Sequence, residues 1–321
     1  MKLAKLFLLT LLIQGASVAC INSGQGTAID GGSGMWHTHV TERLEKARTE
    51  TADQRFFEMQ ARPPSKEDEA FANEELQGVR HVLNGRYQQA LAIFQAIEKD
   101  HPEHYNTAAN LGTIYELLGD LEQASKWIAE GIRRNPRSHD GTEWLHVAIL
   151  DARIKLKEDP DYLTRTRIIP VPDGITWRSS IDVQGKAVPV HGIIRALEYQ
   201  PHERMFFVRT PDPIVADLLF SLGQLTARAN TLESAVEVLA MARAYGYPDS
   251  AGLEATIKEY QSTILFRKLR IGALIGAGVL FSVFFLVHAY KKKWFFLSSQ
   301  DYKKHLEMKK LQEGASPSGT A

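Results

Sequence analysis

Apolar residues recur at three- and four-residue intervals along most of the chain, the spacing that lines one face of a helix. Val40, Leu44, Ala47 and Phe56 put one apolar side on an otherwise charged stretch, predicting an N-terminal amphipathic helix within 36–62. Arg62-Pro63-Pro64 ends that helix, and Ser65 with Asp68 offers a cap for the next. Leu91, Phe94 and Ile97 form one apolar stripe, and Trp127, Ile128 and Ile132 form another. A third helical pattern runs through Leu145, Val147, Leu150 and Ile154, and a fourth occupies 191–207. The pattern breaks at 174–190, where Ile175, Trp177, Ile181 and Val183 flank a Gln184-Gly185-Lys186 turn and predict a small β-hairpin. The expected class is therefore all-α with one small insertion.

Two stretches are continuously apolar. The first, 6–13, follows Lys2 and Lys5 and precedes Gly15-Ala16-Ser17-Val18-Ala19, the layout of an export signal over 1–19. It is too short to span a bilayer, which takes about 20 apolar residues. The second, 271–290, carries no charge along its whole length, giving about 30 Å of helix, the thickness of the hydrocarbon layer. It marks a transmembrane helix over 269–290, with 249–267 leading into it as one helix. Seven lysines follow the span, against three basic residues just before it, which predicts a cytoplasmic tail over 291–321 and an exported body. Trp294, Phe295 and Phe296 would help set the start of that tail on the anionic inner leaflet. Gly272 and Gly276, one helical turn apart, would let two such helices approach closely and pair as a homodimer.

One constant spacing relates Gly78, Gly85, Ala90 and Pro102 to Gly112, Gly119, Ala124 and Pro136. Leu111-Gly112-x-x-Tyr115, then Gly119-Asp120, Ala124, Ile128 and Pro136, resembles the tetratricopeptide repeat family, whose period of about 34 residues this spacing matches. The first unit departs from the pattern, with Gln77 and His81 where leucine and tyrosine are usual. The small residues allow two antiparallel helices to pack, the Asn84-Gly85 and Gly119-Asp120 pairs turn the chain, and the prolines stop the second helices. The repeats extend over 66–157, with a third unit from about Ser138 that lacks the glycine turn. After an insertion at 158–210, Leu222-Gly223, Ala235, Leu239 and Ala242 restore the spacing as a degenerate unit within 211–266. Because such units cover one another's apolar faces, the insertion and the weak unit should dock on the same solenoid. Residues 20–35 are glycine-rich and read as a tether.

Composition changes this picture in two ways. The chain has 38 basic and 38 acidic side chains in 321 residues, but the two termini hold the excess lysine and leave the body at −6. A nucleic-acid partner would need the opposite sign. The single cysteine excludes an internal disulfide and a cysteine zinc site. Ser17-Val18-Ala19-Cys20 resembles a bacterial lipoprotein box, which would make Cys20 the acylated residue; the alternative is an ordinary cleaved signal. No phosphate-binding loop, nucleophile elbow or metal-binding histidine helix is present, and nothing calls for a cofactor. His37-Thr38-His39 would be the place for a metal-dependent enzyme, with two solvated histidines as the simpler account.

The resemblance implies a concave groove lined by the first helix of each unit. Its lining would comprise Glu75 and Val79, then Asn106, Asn110, Thr113 and Glu116, then Glu143, Trp144, Val147 and Asp151. Asparagine amides bind a peptide backbone whatever its sequence, and a tryptophan can anchor a side chain. Of the residues that grip acidic chaperone tails in part of the family, only Asn110 is matched; Glu75, Val79, Asp140 and Trp144 stand at the rest. The groove's acids point to a neutral or basic partner segment. The function expected is a non-catalytic, membrane-anchored periplasmic scaffold for protein–protein interaction in the bacterial envelope, held in the inner membrane. Its rivals are a Cys20-acylated envelope assembly factor, a metal-dependent enzyme using His37 and His39, and a passive subunit of a larger machine.

Overall fold

The computed structural model describes residues 25–27, 33–35, 39–61, 70–176, 178–292 and 298–314. The export signal, Cys20, His37, Trp177 and the Arg62-Pro63-Pro64 break with the caps after it lie outside these residues, as do Trp294, Phe295 and Phe296. The described residues fall into two units, one of residues 25–264 and one from Leu265 on.

The first unit is helical. Short strands β1 (Gln25–Thr27) and β2 (Ser33–Met35) pair antiparallel within the stretch expected to be only a tether. The single helix expected over 36–62 is instead two, α1 (His39–Thr49) and α2 (Ala52–Gln60). Thr51 causes the break: its hydroxyl accepts from Gln54 N while the Gln54 side chain accepts from Thr51 N, a reciprocal cap that starts a new helix.

Two helical hairpins follow, α3 (Ala72–Leu83) with α4 (Tyr87–Asp100), and α5 (Tyr105–Leu118) with α6 (Leu121–Arg134). Their turns are the same turn, one repeat apart. Gly85 and Gly119 take φ of 70° and 83°, a region open to glycine because it has no Cβ. Around them, Arg86 N donates to His81 O and Asp120 N to Tyr115 O, which satisfies carbonyls left over at the helix end. The small residues act as expected. A Cβ at Gly78 would fall 2.6 Å from the Phe94 ring, and one at Gly112 would fall 2.5 Å from Ile128.

The third recurrence of that register is His146, on α7 (Glu143–Glu158), and no second helix follows it. The chain makes a single turn at Tyr162–Arg165 and then the expected hairpin, β3 (Ser180–Val183) with β4 (Lys186–Pro189), paired antiparallel with Ile181 opposite Val188. It then enters α8 (Val190–Met205). A last pair, α9 (Pro213–Ala229) and α10 (Leu232–Ala244), rebuilds the repeat's contact, since a Cβ at Gly223 would lie 2.6 Å from Leu239. Gly246, with φ 80°, ends this pair by the same hydrogen-bonded turn, Tyr247 N donating to Ala242 O.

The largest core cluster joins α1, α7, the β3–β4 hairpin, α8, α9 and α10, with Ile193, Leu197, Leu218 and Leu239 fully buried. The insertion is thus built into the core beside the repeats. Asp217, wholly buried on α9, accepts from Ile168 N at 2.9 Å and fastens the 166–171 loop to the helix. Burial pushes its carboxyl up to about 7, against the pull of that N–H and of Arg167.

Helix α11 (Ser250–Lys291) is continuous over 42 residues, and its apolar stretch is long enough to cross a membrane and is exposed. A Cβ at Gly272 or Gly276 would meet open space. A further helix, α12 (Ser299–Gly314), lies in the lysine-rich tail, where the sequence pattern predicted none.

The close helix contact gives a direct test. Gly112→Ala should cost about 1–3 kcal/mol, because Ile128 and its backbone nitrogen leave no room. Gly131→Ala, whose Cβ would meet Ala109 at an ordinary 3.5 Å, should be neutral or gain about 0.5–1 kcal/mol. Chemical unfolding of the two variants beside the parent chain measures both.

Candidate partner-binding cavity

A cavity of ≈ 640 Å³ opens on the side of the repeats formed by α3, α5 and the start of α7. The last turns of α8 and the Phe207-Val208 stretch close its far wall. Of the ten residues expected to line a groove, seven do so: Glu75 and Val79 on α3, Asn106, Asn110, Thr113 and Glu116 on α5, and Glu143 on α7. Asn110 places its amide 3.4 Å from the Glu75 carboxylate, and the Thr113 hydroxyl donates back to Ala109 O.

Trp144, Val147 and Asp151 are not part of it. Val147, one turn on from Glu143 along α7, is exposed beyond the cavity's edge. Trp144 packs against the main core, and Asp151 pairs with Lys155 at 2.7 Å and lies within reach of the Gln184 amide.

The cavity's inner end is an ionic network that joins three helices. Glu116, 4% exposed, receives Arg204 from α8 in a fork, Nη2 to Oε1 at 2.5 Å and Nη1 to Oε2 at 3.2 Å. His146 Nε2 lies 2.8 Å from Oε2, and Arg153 Nη1 lies 3.2 Å from Oε1. The other nitrogen of His146, Nδ1, is 3.2 Å from Glu143 Oε1, and His139 Nδ1 is 2.6 Å from Glu143 Oε2. Gln200 adds its amide 3.3 Å from the same carboxylate. Nearby, Arg55 from α2 pairs with Glu203 at 3.2 Å and lies 3.9 Å over the Phe206 ring.

Burial works against charge on Glu116, yet Arg204 and His146 hold its carboxyl well below the usual carboxylate range. Glu143 is likewise held down against burial by His139 and His146. For His146 burial alone would favour the neutral ring, but Glu116 and Glu143 outweigh it and raise its pKa to about 9. At neutral pH both of its nitrogens therefore donate.

Strain sits beside the network. His139, Asp140 and Gly141 all have positive φ, at 50°, 58° and 71°, which costs about 1–2 kcal/mol for each residue that is not glycine. Besides the His139–Glu143 contact, two contacts to α8 hold the turn. The His139 ring stacks on Tyr199 at 5.6 Å, and Asp140 faces Arg195 at 3.5 Å.

Arg204, Gln200, His146, Tyr199 and Arg55 were not among the expected lining residues. Three of the positions carry a legible sign. Val190, Ile193, Leu197, Gln200 and Arg204 form one stripe with alternating spacings of three and four, so two polar residues continue an apolar face. His146 stands one full repeat period after Gly112, where the register calls for a small residue. Among the described residues, no group of three or more His, Cys, Asp or Glu side chains is arranged to hold a metal ion.

The network makes stability depend on pH with a definite sign. Folding raises the His146 pKa from 6.5 to about 9, so the protonated ring stabilises the fold fully below pH 6.5 and that contribution is lost as pH rises to 9. Unfolding midpoints of the parent chain should fall across this window. In His146→Gln, less stable at neutral pH, most of that fall should disappear.

No curated protein matches the chain. Residues 81–143 match the tetratricopeptide repeat family. They run from the end of α3 to the start of α7 and include α5, which gives the cavity its amides and Glu116. This span, with its recurring glycine turns and helix contacts, is a tetratricopeptide-repeat segment.

Proposed function

We propose that the chain is a non-catalytic scaffold in the bacterial cell envelope, holding a segment of a partner protein in the cavity between α3, α5 and α8. The cavity is the observation that carries this reading. Tetratricopeptide repeats generally bind proteins, and this one offers aliphatic side chains and carboxamides together at a preformed opening. A rigid wall of this kind lowers the ordering cost of capturing a flexible segment.

In this reading the helical body is periplasmic, α11 crosses the inner membrane once, and the lysine-rich tail lies in the cytoplasm. The export-signal pattern at 1–19 and the lysine excess after 290 support that direction. Tail residues Lys303, Lys304, Lys309 and Lys310 lie on α12 and suit an anionic membrane surface. Gly272 and Gly276 would bring two α11 helices together in a dimer.

Site-specific crosslinking in intact cells tests the partner site. A photoreactive residue placed at Asn110, inside the cavity, should capture a discrete protein species. The same residue at Gln89, exposed on α4, should not. Capture from Gln89 alone, or from neither position, would move the function away from the cavity.

A further inference from the structure

Of the four acids on the cavity wall, the three at its inner end, Glu116, Glu143 and Glu203, are already met by cations of the chain, and Glu75, on α3, has the Asn110 amide at 3.4 Å. Glu116 has four cationic nitrogens within 3.2 Å, from Arg204, Arg153 and His146, and a carboxylate offers about four lone-pair sites. Glu143 is shared by His139 and His146, and Glu203 is paired with Arg55. An incoming lysine or arginine would meet Arg204 and a protonated His146 before any open carboxylate lone pair at the inner end. An incoming acid would meet Glu143 and Glu203, both held ionised.

We propose that the cavity takes a short, extended partner segment without charged side chains, and that Arg204 sets this preference by serving as the built-in counter-ion of Glu116. This rests on the partner-binding reading of the same cavity. The uncharged part of the wall has the matching chemistry. Leu76, Val79 and Phe207 offer apolar contact, and Asn106 and Asn110 offer carboxamides. Those two asparagines are one turn apart on α5, about 6 Å along its axis. An extended chain repeats its outward-facing groups about every 6.6 Å, so successive backbone groups of such a segment fall near successive amides.

Size limits the length of the segment. A helix turn of 3.6 residues, about 10–12 Å across and 5.4 Å high, fills roughly 420–610 Å³. A cavity of ≈ 640 Å³ therefore holds only a few residues in either conformation, as a short segment requires. The ends of α8 and the Phe207 wall stop the segment from following the repeats into the third unit.

The test uses the full-length protein in detergent micelles and three pools of short random peptides. One pool contains only uncharged residues, one includes Lys and Arg, and one includes Asp and Glu. Peptides retained by the protein are counted by mass spectrometry. Retention of the uncharged pool should exceed that of either charged pool by about tenfold, the scale set by like charges brought together in a confined site. Arg204→Gln, checked for a cooperative unfolding transition, should shift retention toward the Lys and Arg pool by a similar factor, because it opens two lone-pair sites on Glu116. If that variant does not fold, the three-pool comparison on the parent chain still decides.

Preference of the parent chain for the Lys and Arg pool, or for the Asp and Glu pool, would overturn the charge argument and leave the cavity as a partner site. Retention of no pool would overturn both readings. So would retention unchanged by Val79→Trp, which puts a bulky ring into the cavity beside Asn110 and Leu76.

Discussion

Glu116 is buried and ionised where α5, α7 and α8 meet, and the rest of the arrangement follows from what that requires. A carboxylate removed from water costs several kcal/mol unless matched by well-placed cations. Here the match comes from two places in the chain: Arg153 and His146 one repeat later, and Arg204 from the inserted helix, 88 residues away in sequence. The repeats and the insertion are therefore fixed to each other by charge as well as by the apolar faces of α8. The same contact ends the groove. A surface that would run along all the first helices is shortened to a cavity bounded by the insertion's own side chains.

Close glycine contacts and buried ions perform different tasks in this body. Gly78, Gly112 and Gly223 each let a helix approach one side chain of the helix that follows, Phe94, Ile128 and Leu239 in turn, always at the same offset in sequence. That contact is local and repeats wherever the spacing does. In the third unit the register brings His146 instead, with no second helix to pack on it. A ring that size with two polar nitrogens needs two acceptors, and Glu116 and Glu143 supply them. The departure from the repeat and the ionic network are the same event.

This contrast explains what could be read beforehand. The turns at Gly85 and Gly119, the β3–β4 hairpin and the long apolar helix are set by short-range rules, so the sequence pattern placed them well. The break between α1 and α2 was missed because the apolar face continues across Thr51, and only the capping pair with Gln54 reveals a new helix start. The seven residues on the cavity wall were placed by the family resemblance, which assigns the first helix of each unit to a groove, with the period fixing which positions those are. Trp144, Val147 and Asp151 lie off the cavity because the end of α8 and Phe207-Val208 close it at Glu143 and His146, a long-range contact that the repeat period does not foresee. Arg204 could not be paired with Glu116 from sequence, since no local rule relates positions so far apart. Its place at the end of an apolar stripe did signal that it would be buried.

Glu116 and Arg204 stabilise one another across the junction of repeat and insertion. A double-mutant cycle with Glu116→Gln, Arg204→Gln and the combined variant, followed by chemical unfolding of the full chain, measures that most directly. Each single change should be strongly destabilising, and the two should couple by about 2 kcal/mol, within the range for residues in one network. Effects that simply add, to within about 0.5 kcal/mol, would contradict it.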